Sequence, residues 1–158
     1  MCAIITRGRS HCQMARVQHV GNARVIARTV GPADTTEQER LKLEAGEIVL
    51  RVTRVRVKGE LPASYALAVL PLARFPGLTA DSDAHEDIVA LGRAHGVPLG
   101  RATEDADTAY PAADVAEYLG VDPDEEVLKL ERIVRCARGL PVEWRVAYFC
   151  MDSDRFDG

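Results

Sequence analysis

Two stretches of the chain alternate in the same way. Residues 48–58 read Ile-Val-Leu-Arg-Val-Thr-Arg-Val-Arg-Val-Lys, and residues 126–136 read Glu-Val-Leu-Lys-Leu-Glu-Arg-Ile-Val-Arg-Cys. Apolar, mostly β-branched side chains interleaved with charges at a period of two predict long strands, Ile48–Lys58 and Glu126–Cys136, with one face on a core. Each run meets a turn containing Gly59 or Gly139 and then a second apolar stretch, Ala63–Leu70 or Val142–Cys150. That spacing predicts two β-hairpins. A short helical segment precedes each hairpin, Thr36–Leu43 or Ala112–Leu119, with Thr35 or Thr36 and Asp114 near the N-termini as caps. Arg24–Val30 and Arg101–Ala109 read as further strands. Ala84–His95 reads as a third helix, with Ile88, Leu91 and Ala94 on one side and Gly96 and Pro98 as its stop.

The two hairpin units are copies of one pattern. Laying Glu39–Leu70 over Glu117–Phe149, with one extra residue in the second copy's turn, brings Glu39, Leu41, Glu47, Val49, Leu50 and Arg54 onto Glu117, Leu119, Glu125, Val127, Leu128 and Arg132. Past the turn, Pro62 and Ala68 meet Pro141 and Ala147, and Tyr65 meets Trp144. The sum is an α+β fold: a mostly antiparallel sheet of about six strands, three helices, and a pseudo-two-fold internal repeat. Two hairpins pairing edge to edge would hide their edges from solvent.

Strand parity singles out a few charges. Leu128, Leu130 and Val134 share one face of their strand, and Arg132 has the same parity. Ile48, Leu50 and Val52 share a face with Arg54 and Arg56. An inward guanidinium is costly unless paired and hydrogen-bonded. Two accounts are open. Either an internal ion pair, with Glu143 or another carboxylate, or a bulge near Thr53 relieves the charge; or the arginines face a cavity and receive a carboxylate or phosphate, which their planar fork suits.

Composition narrows the classes. The chain has 158 residues, 47% hydrophobic and 28% charged, enough for one domain with a real core. The longest apolar run, Tyr65–Ala73, is interrupted by Pro71 and is far short of a membrane span. Arg7, Arg9, Ser10 and His11 break any apolar leader, so a soluble, cytoplasmic protein is expected. Charge is uneven: residues 1–33 hold five arginines and no carboxylate, and the remainder holds 15 Lys and Arg against 24 Asp and Glu. An acidic body is a poor nucleic-acid surface. Cys2, Cys12, Cys136 and Cys150 form no C-x-x-C and no zinc spacing with His11, His19, His85 or His95, so reduced thiols and no metal are expected. The pairs Asp81/Asp83, Asp105/Asp107 and Asp152/Asp154 lack the rest of a calcium loop. No nucleophile elbow, zincin or phosphate-loop motif is present.

The run Leu41-Lys-Leu-Glu-Ala-Gly-Glu-Ile-Val-Leu-Arg-Val-Thr-Arg-Val-Arg56, with Leu70-Pro-Leu-Ala-Arg-Phe-Pro-Gly-Leu78, resembles the effector-binding UTRA domain of HutC-type GntR transcriptional regulators. Tyr118–Val121, Val127–Arg132, Leu140–Glu143 and Asp152–Phe156 resemble the second half of that pattern. The resemblance runs from residue 24 to 158 and implies a chorismate-lyase-like fold, with residues 1–23 as a basic arm or linker. It implies a small-molecule effector, anionic or zwitterionic, bound between the two halves of a homodimer's subunit. No cofactor is implied, and no membrane partner. Operator DNA would be reached only through a winged helix-turn-helix that this chain does not carry.

By the same resemblance the effector residues are Arg54, Arg56, Glu143 and Phe149, with Glu86 at the start of the middle helix. The chain departs from the family pattern where a Ser-x-Tyr falls on Glu86 and Ile88 and where a first-hairpin glutamate falls on Ala66. Those changes argue against a phosphosugar effector. The alternative reading is a chorismate-lyase-like enzyme acting on a small anionic metabolite. With no acid–base pair beyond Glu143, the sensor is the expected function and catalysis is not.

Overall fold

The computed structural model describes residues 22–59, 61–82 and 87–151. In chain order it runs β1 (Asn22–Pro32), α1 (Thr35–Leu41), β2 (Ile48–Lys58), β3 (Leu61–Pro71), a 3-10 turn (Leu72–Arg74), α2 (Ile88–Ala94), β4 (Leu99–Ala109), α3 (Ala113–Leu119), β5 (Val127–Cys136) and β6 (Pro141–Phe149). One six-stranded sheet has the order β1-β2-β3-β6-β5-β4, with every neighbouring pair antiparallel. This is the expected α+β architecture.

The repeat is built into the middle of the sheet. β3 and β6 pair through Tyr65 with Tyr148, Leu67 with Val146, and Val69 with Trp144. Leu67 and Val146 are themselves mates in the repeat, so the pseudo-two-fold axis passes through that pair. Gly59 and Gly139 turn the two hairpins at positive φ, 66° and 90°, where a side chain would strain the backbone.

The helix ends differ from the sequence expectation. α1 is capped by Asp34, not by Thr35 or Thr36. Asp34 Oδ1 accepts from the Glu37 N–H at 2.8 Å and Glu37 Oε1 accepts from the Asp34 N–H at 2.9 Å, a reciprocal capping box. α3 starts after Ala112 with no side-chain cap; Asp114 lies inside its first turn. α2 starts at Ile88 because Asp87 caps it, its carboxylate accepting from the Val89 N–H at 3.0 Å. Arg74 closes the other end of α1, donating to the carbonyls of Leu41, Lys42 and Pro141.

Both faces of the sheet are covered, unequally. Leu41 of α1 packs with Val49 and Val69, and Val115 and Leu119 of α3 pack with Val127, Tyr65 and Tyr148, all on one face. On the opposite face Ile88 and Leu91 of α2, with Phe75 and Leu78, pack against Leu50, Val52, Leu70 and Val134. Farther along that second face, Ala66, Ala106, Leu128, Leu130, Ala147 and Phe149 form another apolar cluster. The predicted functional residues lie on this second face, Arg54, Arg56 and Phe149 at the level of the second cluster and Glu143 beside Val134 of the first.

Candidate functional site

Directly paired residues in a sheet point to the same side, so the register defines the site. One row across the sheet is Val52, Ala68, Arg145, Arg132 and Glu104. The next is Arg54, Ala66, Ala147, Leu130 and Ala106, and the one beyond is Arg56, Ser64, Phe149, Leu128 and Thr108. Arg54 and Arg56 are 6% and 7% exposed, so their parity with Leu50 and Val52 did place them inside. A bulge does lie beside Thr53, but its extra residue, Ile26, is on β1, and a second irregularity opposite Arg56 and Val57 has its extra residue, Ala63, on β3; neither turns the arginines outward.

Glu143 is buried on the same face and accepts from Arg132 Nη2 at 2.8 Å. Of the two accounts of the inward arginines, an internal ion pair therefore holds for Arg132. Arg145, which sequence reasoning did not select, is 5% exposed and lies directly beside Arg132. The Nε atoms of Arg132 and Arg145 are both buried without a hydrogen-bond partner among the described residues. Burial first, and then the charges of Arg132, Arg54 and Arg56, push the Arg145 guanidinium down to about 10 against the opposing pull of Glu143. It stays protonated at neutral pH, within a group of four guanidiniums that feel one another.

The signal for Arg145 was present in the repeat. The alignment that pairs Tyr65 with Trp144 also pairs Ala66 with Arg145 and Ser64 with Glu143. Arg145 is thus the mate of Ala66, the position at which the chain departs from the family pattern.

Phe149 is buried two strands from Arg56, with Ser64 between them, whereas Tyr148 points to the other face. Arg54, Arg56, Glu143 and Phe149 are thus brought to one face. Glu86 lies outside the described residues, as do Asp152–Phe156 of the C-terminal pattern. Ile88, which stands where the family pattern has its tyrosine, packs into the apolar cluster beneath α2. Arg28 of β1 shares the arginine face and donates to the carbonyls of Ala80 and Ser82 at 3.2 and 2.7 Å, holding that loop over the sheet edge. A separate open cleft of about 290 Å3, lined by Arg74, Pro98, Cys136 and Arg138, contains none of the predicted residues.

Comparison with known proteins identifies the family of this fold. The UTRA domain family matches residues 17–157. The HTH-type transcriptional repressor PhnF of Mycolicibacterium smegmatis is 26% identical over 151 residues, which span 93% of this chain and 61% of that protein. The crystal structure of the effector domain of PhnF superposes with a TM-score of 0.73 at 26% identity, covering 82% of this chain and 80% of that one. A GntR-family transcriptional regulator from Bacillus cereus superposes with a TM-score of 0.76 at 20% identity, covering 87% and 96%, and shares the fold. With a six-stranded duplicated sheet, an arginine-lined inner face and a match over most of its length, the chain belongs to the UTRA domain family, the effector-binding domains of GntR-type regulators.

Proposed function

We infer that this domain senses a small anionic metabolite for a GntR-type transcriptional regulator of the HutC subfamily. One observation carries the reading. Arg54, Arg56, Arg132 and Arg145 share a face of the sheet on which Glu143 is the buried carboxylate among the described residues, with half-buried Glu104 at its margin. Four guanidiniums gathered on one largely apolar face are suited to bind an anion and offer little for turning it over. Residues 24–158 are the effector domain in this reading and residues 1–23 a linker. PhnF is named a repressor with a helix-turn-helix; by analogy the whole protein is a cytoplasmic homodimer whose operator contact is made by such a module. The effector then acts by favouring one arrangement of the dimer.

The test is a thermal-shift screen of anionic metabolites on the wild-type chain, repeated on Arg54→Ala and Arg56→Ala. Loss of one charge-assisted contact lowers affinity by roughly 2–4 kcal/mol, about thirtyfold or more. Ligand shifts that survive both substitutions contradict the assignment. In parallel, incubation with chorismate releases no pyruvate above the protein-free control; release would restore the enzyme reading.

A further inference from the structure

We propose that Arg132 and Arg145 form a second anion subsite beside Arg54 and Arg56, so that the effector carries two separate anionic groups, as in a dicarboxylate or a phosphorylated carboxylate. This rests on the effector site proposed above and goes beyond it in fixing the ligand's charge.

Two guanidiniums side by side on adjacent strands repel each other, and a structural pair of that kind would be expected to satisfy every donor. Here Nε of both is buried and unpartnered among the described residues, while only Nη2 of Arg132 has Glu143 as its carboxylate. Each Nε–H forms one arm of the side-on fork by which arginine grips a carboxylate or phosphate. Among the described residues, the charged groups beside this pair on the sheet are few. Glu143 lies on β6 beside it, Glu104 on β4 opposite Arg132 at the sheet margin, and Arg28 on β1 is engaged with the loop carbonyls of Ala80 and Ser82. The remaining members of the row, Val52 and Ala68, are apolar.

The two subsites are also distinct in position. Arg54 and Arg145 are separated by two strand spacings and two residues along the strand, about 12 Å between Cα atoms from spacings of about 4.8 and 3.4 Å. Ala66 and Ala147 lie between them and add no bulk. A short ligand with an anion at each end can engage one guanidinium of each pair across that separation.

The experiment is calorimetry on the full chain with matched probes: succinate against its monoamide, and phosphoglycolate against methyl phosphate. On the wild type the member with two anionic groups binds at least roughly tenfold more tightly than its partner. Arg145→Gln reduces that advantage to below about threefold and leaves the single-anion probes unchanged, whereas Arg54→Gln weakens both members of each pair. Arg145→Lys, which keeps the charge and loses the fork, serves if the glutamine variant does not fold, and it too loses at least about threefold of the advantage. Equal binding of the matched probes on the wild type, or an advantage that survives at residue 145, overturns the second subsite and leaves the first standing. Failure of all four probes to bind, or binding indifferent to Arg54→Gln, overturns the effector site itself and this proposal with it.

Discussion

In the first copy of the repeat, Arg54 lies across from Ala66 and Arg56 across from Ser64. In the second copy the mate of Arg54 is Arg132, which lies across from Arg145 and donates to Glu143. One scaffold therefore carries arginines over small neighbours on one side of the pseudo-two-fold axis, and an ion pair with a surplus guanidinium on the other. The contrast separates two arrangements that strand parity alone had joined: the Arg132–Glu143 ion pair of the second copy, and arginines paired across the sheet with the small side chains Ala66 and Ser64 in the first. Duplication supplies the symmetric frame, and divergence at mates Ala66/Arg145 and Ser64/Glu143 makes the site one-sided.

The largest test of that contrast is at Glu143. Replacing it with alanine strands Arg132 and leaves Arg145 without its neighbouring carboxylate, so urea unfolding should show a loss of about 3–5 kcal/mol. Ser64→Ala, at the mate position, should cost about 1 kcal/mol. Equal losses at the two positions would break the distinction between copies.

The helices in front of the hairpins differ as well. α1 is fixed by the Asp34–Glu37 capping box and by Glu37 accepting from Arg51 Nε and Nη2, both at 2.6 Å; α3 has no side-chain cap. Glu37→Gln should therefore cost about 1–2 kcal/mol at neutral pH. Burial pushes the Glu37 carboxyl up, but the Arg51 and Asp34 hydrogen bonds and the Arg51 charge outweigh it and hold the group below its ordinary 4.5. A carboxyl depressed in the folded state stabilises the fold above its unfolded value, and that contribution disappears as pH falls through the folded one. The gap between wild type and Glu37→Gln should thus stay constant above pH 4.5 and close progressively below it in acid-unfolding curves.

Arg145 offers the opposite sign. Truncating a buried cation with an unpaired donor to leucine should leave stability unchanged or raise it by about 1 kcal/mol. A fall of several kcal/mol would mean that Arg145 is structural. A similarly small effect is expected at the helix C-caps, where mates Lys42 and Gly120 both take left-handed backbone, φ 56° and 70°. Lys42→Gly should stabilise by about 0.5–1 kcal/mol, and no such gain is available in the second copy.

The hairpins, the repeat and the inward arginines were legible because each is written in period-two alternation, which a strand cannot evade: moving Arg54 outward would expose Leu50 and Val52 with it. Which inward arginine pairs with Glu143 was not legible, since that depends on β5 and β6 lying side by side in a particular register. Arg145 was hidden for a related reason. On β6 the alternation is blurred, with Val142, Glu143, Arg145, Val146 and Ala147 all buried on one face or the other, so charge on that strand did not stand out against an apolar face. The Asp34 cap was missed because two threonines next to it offered the same chemistry one and two residues later.

The central claim is that the arginine face receives an anion, and the Nε–H resonances of the arginines report it directly. Arg40 and Arg51 provide internal controls, their Nε–H groups already donating to Glu131 and Glu37 on the opposite face. In a titration of the labelled chain with succinate, the Nε–H signals of Arg132 and Arg145 should move saturably while those of Arg40 and Arg51 stay in place. If none of Arg54, Arg56, Arg132 and Arg145 gives an Nε–H signal that moves apart from the two controls, the claim is contradicted.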